Sequence, residues 1–306
     1  MTDTTASLRR KIASAGDLQS VVRTMKAMAA SSITQYEQSV RALDDYNRTV
    51  ELGLGVCLRG TAGAAAWRRA ANRPAGTQGI GAVVFGSDQG LVGQFNDVVA
   101  DYAIETLSTL PGKPLVWAVG ERAHARLADA GLPPAGLFSV PNSVKAIAPL
   151  VGQILLESEQ QQRQGKAAEL HLFHNRPIFR NRSGAAAAYA PVCQRLLPLD
   201  ESWGRQLAEL PWPGSNLPGV LGDGTATLRV LIREYLFVSL FRACAESLAS
   251  ENASRLAAMQ RADRNIEELL ATLNDGFHRL RQSGIDEELF DVVSGFEALL
   301  AEPRQS

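Results

Sequence analysis

The chain has 306 residues, is 45% hydrophobic and 21% charged, and carries a formal net charge of -1. That balance suits one large or two smaller soluble cores, and it excludes a dedicated polyanion binder drawn to nucleic acid or acidic lipid by its overall field. Three cysteines, Cys57, Cys193 and Cys244, are too few and too far apart for a disulfide framework. No stretch reaches the ~18 uninterrupted apolar residues of a membrane span, and the N-terminus lacks an apolar core of signal-peptide length.

The first predicted element runs from about Ser7 to Leu58. Leu18, Val22, Met25, Ala29, Ile33, Tyr36, Val40, Leu43, Val50 and Leu54 recur mostly at steps of three and four. That periodicity marks one face of a helix roughly 75 Å long.

From about Gly60 to Gly224 the texture changes. After the irregular `RGTAGAAAWRRAANRPAGTQG`, the runs `GAVVFG`, `PLVWAV`, `AGLFSV` and `ELHLFH` read as buried strands. The segments `QFNDVVADYAIETLSTL`, `GERAHARLADAG` and `SVKAIAPLVGQILLESEQQQRQ` read as helices between them. Alternation of this kind predicts a parallel sheet with helices on its faces. The stretch `AAAAYAPVCQRLLPL` offers further strand, and `PWPGSNLPGVLGDG` closes the zone in turns.

The last element, from about Thr225 to Leu300, is again helical. Its stripe includes Leu231, Tyr235, Val238, Ala245, Leu248, Leu256, Met259, Ile266, Leu269, Leu273, Phe277 and Leu280, and Gly276, Gly284 and Gly295 weaken its last third. Helices this long without strong breakers are usually coiled coils. A compact insert returns the chain near its point of departure, so the two rods should run antiparallel. The fold class expected is α/β: a long antiparallel coiled coil of terminal helices (1–59 and 225–306) with an inserted Rossmann-like domain (60–224). A bundle of shorter helices is the competing arrangement. The second rod is the longer by roughly 20 residues, which leaves `IDEELFDVVSGFEALL` without a partner and predicts a binding tip.

Chemistry is hard to find. `FGSDQGLVGQFN` follows a strand and opens a helix, where phosphate loops sit. A Walker loop, however, needs Lys-Ser/Thr after its last glycine, and Gln94-Phe95 stands there. His171 and His174, three apart on a strand, point to opposite faces and make a poor metal pair. No cysteine has an evident histidine partner, and no `GxSxG` elbow occurs. No catalytic, cofactor or metal site is expected, and a mechanical or binding role leads. A stand-alone α/β enzyme dimerised through a coil, or a coiled-coil scaffold or chaperone, are the rivals.

Several segments resemble the gamma subunit of F-type ATP synthase. `VVRTMKAMAASS` is similar to that family's `ITKAMKMVAAAK`, and `SDQGLVGQFN` to its `SDRGLCGGFN`. `QRLLPLD` resembles its `LLPL` segment, `ESLASENASRLAAMQRADRN` its `ESxASExAARMxAMxxAT` helix, and `LRQSGIDEELFDVVSGFEAL` its C-terminal `ARQAxITxELxEIVxGAxAL`. The matches fall in order from one end of the chain to the other. The resemblance implies a non-catalytic rotor shaft inside a ring of alternating alpha and beta subunits, with the insert against the epsilon subunit and the membrane c-ring. It implies ATP on the alpha and beta subunits and no cofactor or nucleic acid on this chain. It also implies a peripheral place on the cytoplasmic face of a bacterial inner membrane.

Carried over by position, Arg281 and Gln282 match an Arg-Gln pair that meets a catch loop on beta. Met25 and Lys26 match the hydrophobic and basic pair on the first helix, and Asp286 stands where the family has Thr. Leu289, Phe290, Val293 and Phe296 form the implied apolar tip. His278 for Asn, Gln89 for Arg, Val92 for Cys and Ser32 for Lys are further departures. With `DQGLVGQFN`, the pattern resembles a divergent bacterial branch for which sodium translocation is suggested.

Overall fold

In the computed structural model, residues 4–60, 63, 65, 67, 79–178, 188–216, 218–220 and 224–301 are described, with 295–301 described by backbone alone. The chain orders as α1 (Thr5–Arg59), β1 (Ile80–Phe85), α2 (Phe95–Ser108), β2 (Leu115–Val119), α3 (Glu121–Asp129), β3 (Gly136–Phe138), α4 (Val144–Arg163), β4 (Glu169–Ile178), β5 (Ala188–Leu197), α5 (Glu201–Glu209) and α6 (Gly224–Ala301). Every strand and helix expected between 79 and 197 is present. Two compact units divide the chain: Met1–Met28 with Ala258–Ser306, and Ala29–Ala257. Both long helices contribute to each unit.

In the larger unit a five-stranded sheet has the order β3-β2-β1-β4-β5. β1 pairs in parallel with β2 (Val83 with Trp117) and with β4 (Val83 with Leu172). β2 pairs in parallel with β3, and β5 alone runs antiparallel, against β4. β1, `IGAVVF`, is buried at all six positions, the continuous apolar run of a strand covered on both faces. One face, with Val83, Phe85 and Leu172, packs on Ile147, Val151 and Ile154 of α4 and on Leu240, Cys244 and Leu248 of α6. The other, with Ala82, Val84 and Phe173, packs on Val99, Ala100 and Ala103 of α2 and on Leu127 of α3.

α5 was not foreseen. Asp200 caps it by accepting from the Ser202 amide, and Leu207 joins a third cluster with Val50, Leu54 and Leu58 of α1 and Leu228 of α6. Arg59 donates to the Ala208 and Leu210 carbonyls just past it. Within this unit α1 and α6 run antiparallel: Tyr46 bonds Glu234, and Asp44 bonds Arg242.

The smaller unit is built from α1 up to Met28 and α6 from Ala258. Here too the helices are antiparallel, since Arg9 lies over the Phe277 ring and Lys26 meets Asp263. Covered positions of α1 include Leu8, Ile12, Ala15, Gln19, Val22 and Lys26; those of α6 include Met259, Asp263, Ile266, Leu270, Leu273 and Phe277. Both sets step by four and three alternately, the heptad spacing that brings two helices into a left-handed supercoil. Gly276 and Gly284 stay helical; a glycine inside a helix costs only about 1 kcal/mol, which the seam overcomes.

Candidate interaction surfaces on the paired helices

The smaller unit has a narrow dry seam and much bare apolar surface. Ala15, Val22, Met259 and Ile266 are buried together, with Met25, Ala258, Ala262 and Leu270 packed around them. Asp263 sits in the same seam. Its carboxylate accepts from Lys26 Nζ at 2.7 Å and from Gln19 Nε2 and Arg23 Nε at 3.4 Å each. Arg23 also reaches Glu267 at 3.2 Å. The Lys26 hydrogen bond is the largest influence holding the Asp263 carboxyl below its usual range, with the Lys26 and Arg23 charges helping.

Outside the seam, Leu18, Val21 and Met28 of α1 are exposed. Leu18 was expected on the covered face and lies beside it instead. It lines a groove of about 720 Å³ with Arg10, Ser14, Ile266, Leu269 and Leu273. Past Leu280 the apolar side chains of α6 stand in solvent: Ile285 is 54% exposed, Leu289 61%, Phe290 72%, Val292 70% and Val293 47%. The side chain of Phe296 lies outside the described residues. Arg281, Gln282 and Asp286 are all on the open surface. Met25 packs against the seam and Lys26 is turned inward onto Asp263, so the site residues named from sequence fall into two groups: a pair held in the coil and a set exposed along the last turns of α6.

In the larger unit the loop after β1 is filled by the protein's own side chains. The Ser87 amide donates to Asn96 Oδ1, and Asn96 Nδ2 donates to Ser87 Oγ. Asp88 accepts from the Glu121 and Val140 amides, and so occupies the start of α3 as a phosphate would. Ser254 Oγ and Asn175 Nδ2 donate to the Val92 and Phe95 carbonyls. Gly120, at φ 106, leaves no room for a Cβ, which would fall 2.7 Å from the Ser87 backbone. The loop is held in place by hydrogen bonds from the protein's own side chains.

The two histidines are both buried and lie on opposite faces of the sheet. His174, fully buried, meets Glu246 at 2.9 Å. Glu246 also accepts from Arg176 at 2.8 Å and from Arg242 at 3.0 Å. Burial pushes the Glu246 carboxyl up, but these donors outweigh it and bring it down to about 2. Burial holds His174 below its ordinary value. Arg176, Arg242 and Arg41 border a cleft of about 770 Å³, and each is already paired with an acid there: Glu246, Asp44 and Glu37. His171 lies on the other face of the sheet, bonded to Glu169 at 3.2 Å and beside Cys193. Among the described residues no cluster of His, Cys, Asp or Glu could hold a metal ion, and no helix is long and apolar enough to cross a membrane.

A family model described as ATP synthase matches residues 4–299. The ATP synthase gamma chain of Parafrankia sp. (strain EAN1pec) is 29% identical over 299 residues, covering 95% of this chain and 96% of that one. The chain belongs to the ATP synthase gamma family. Solved ATP synthases carry the same fold at low identity. A chain of the Euglena gracilis mitochondrial OSCP/F1/c-ring assembly aligns with TM-score 0.62 and 15% identity, covering 99% of this chain and 96% of that one. A chain of the Euglena rotor aligns with TM-score 0.57 and 16% identity, covering 92% and 98%. One from the Tetrahymena thermophila mitochondrial central stalk and c-ring aligns with TM-score 0.54 and 19% identity, covering 79% and 99%. Membership of the gamma family sets aside both rivals considered from sequence, the dimerised enzyme and the free scaffold.

Proposed function

We propose that the chain is the central rotor shaft of a bacterial F-type ATP synthase and couples ion translocation to ATP turnover without catalysing it. The bare apolar side chains of Ile285, Leu289, Phe290, Val292 and Val293 carry this reading. So much apolar surface in water is unfavourable, and a surrounding sleeve of alpha and beta subunits would cover it. Few directional bonds form on such a surface, so it can turn without locking. Leu289, Phe290 and Val293, with Phe296 beyond them, would form the bearing. Arg281, Gln282 and Asp286, exposed just before it, would make the angle-dependent polar contacts with beta, and Met25 would flank them from the first helix. The α/β insert between α1 and α6 would meet the epsilon subunit and the c-ring at the cytoplasmic face of the inner membrane.

A shaft biases three identical beta subunits only if it touches each one differently, because a change in conformation follows a difference in contact free energy. The unlike faces of α1 and α6 supply that difference. The filled loop after β1 supports the absence of nucleotide chemistry here. Co-expression with alpha and beta subunits and native mass measurement would test the reading. One copy of this chain per three beta subunits is expected; a stable homodimer that ignores the other subunits would overturn it.

A further inference from the structure

The seam of the smaller unit carries polar residues where a coiled coil normally has apolar ones. Gln19 and Lys26 occupy covered heptad positions of α1, and Asp263 lies between Met259 and Ile266 in the covered series of α6. Asp263 is 7% exposed and takes all three of its donors from α1. Its partner Lys26 is only half-buried, and such an ion pair is a weak source of stability, because desolvation and solvent screening offset most of the attraction. Its established use in paired helices is to fix register: a polar group in the seam is satisfied in one alignment and stranded in the others.

The apolar part of the seam discriminates poorly. Ala15 and Val22 face Met259 and Ile266, and small or flexible side chains accept many alignments. A slip along this part of the seam would keep apolar residues against apolar partners but carry Lys26 away from Asp263 and leave its carboxylate without its closest donor.

We infer that Asp263, with Lys26 and Gln19, is a register key that prevents α1 from sliding along α6 when the pair is twisted, and is therefore a positioning residue for rotary coupling. The link to coupling rests on the shaft reading above; the register claim does not. Twisting a two-stranded coil changes the path length of each strand, so the strands must either stretch or slip. A key that blocks slip converts twist at one end into rotation at the other.

The test separates register from stability. In the full chain, Lys26→Leu with Asp263→Leu replaces the ion pair by a hydrophobic one. The thermal midpoint is expected to stay the same or rise. Nitroxide labels at Asp17 and Ala271, both exposed, are expected to report one distance in the parent and a second, longer one in the variant. The swapped pair, Lys26→Asp with Asp263→Lys, should restore the single distance. In the complex reconstituted with alpha, beta and membrane subunits, the leucine variant should keep ATP hydrolysis and lose ion pumping, and the swapped pair should recover it. A single unshifted distance in the leucine variant would overturn the key. A shifted register with normal pumping would overturn its role in coupling while leaving the shaft reading intact. Loss of assembly in the parent chain itself would instead be a failure of the shaft reading.

Discussion

The two units of this chain hold themselves together in opposite ways. In the larger one a sheet is covered on both faces, and its main polar cluster and loop are met from within: Glu246 accepts from three residues, and Asp88 and Asn96 close the loop after β1, although His174 Nδ1, Asn175 Oδ1 and Glu251 Oε2 are buried with no partner. In the smaller one two helices share a single seam, with apolar side chains bare on either side. The difference teaches where stability and work reside. The first unit is finished by its own residues, whereas the second keeps its surface for other molecules.

Substitutions should separate the two. Phe173, fully buried against Val99 and Ala103, is the largest lever: Phe173→Ala should cost about 3–5 kcal/mol in a denaturant titration. Glu246→Ala follows at about 3 kcal/mol, because it strands His174 and two arginines around a lost charge. In the seam, Ile266→Ala should cost about 2 kcal/mol, at the low end for buried aliphatics because solvent lies close by. Were Ile266→Ala to unfold the sheet as readily as Phe173→Ala, the contrast between the units would be lost.

The pH dependence near neutrality should also belong to the larger unit. His174 is held neutral in the fold, so the unfolded chain takes up a proton first as pH falls through the ordinary histidine value near 6.5. Stability should therefore drop between about pH 7 and 5, and His174→Gln should flatten that part of a melting-temperature profile. Glu246 has a depressed folded value, about 2; its contribution is present above the ordinary carboxylate range and is lost as pH falls from there toward 2.

The smallest change in stability is expected at the exposed end. Arg281→Ala with Gln282→Ala should shift unfolding by less than about 0.5 kcal/mol, as open surface positions do, yet reduce the coupling of hydrolysis to pumping in the assembled complex. Unchanged coupling in that double variant would remove these two residues from the proposed beta contact.

Much of this was legible in the sequence because its signals are local. Strand-helix alternation located β1 to β5, and the long stripes located α1 and α6. The seam was only half legible. A search for apolar residues finds Met25 but also chooses the exposed Leu18, and it passes over Gln19 and Lys26, covered polar residues made tolerable by an acid more than two hundred positions away. The Glu246 cluster was hidden for the same reason: His174 and its acid are 72 residues apart and no periodicity connects them. α5 was missed because nine residues give too short a pattern, although Asp200 before Ser202 was the available cap signal. The exposed tip was anticipated from a mismatch of lengths alone, a count that needs no side-chain geometry.

The unpaired end of α6 has a consequence for the cell that makes it. A chain released from the ribosome ahead of its companions presents Leu289, Phe290 and Val292 to any sticky surface it meets. Supply must therefore be matched to demand: excess copies should be captured by chaperones or cleared by proteases, so that the amount of shaft is set by the number of rings waiting to receive it.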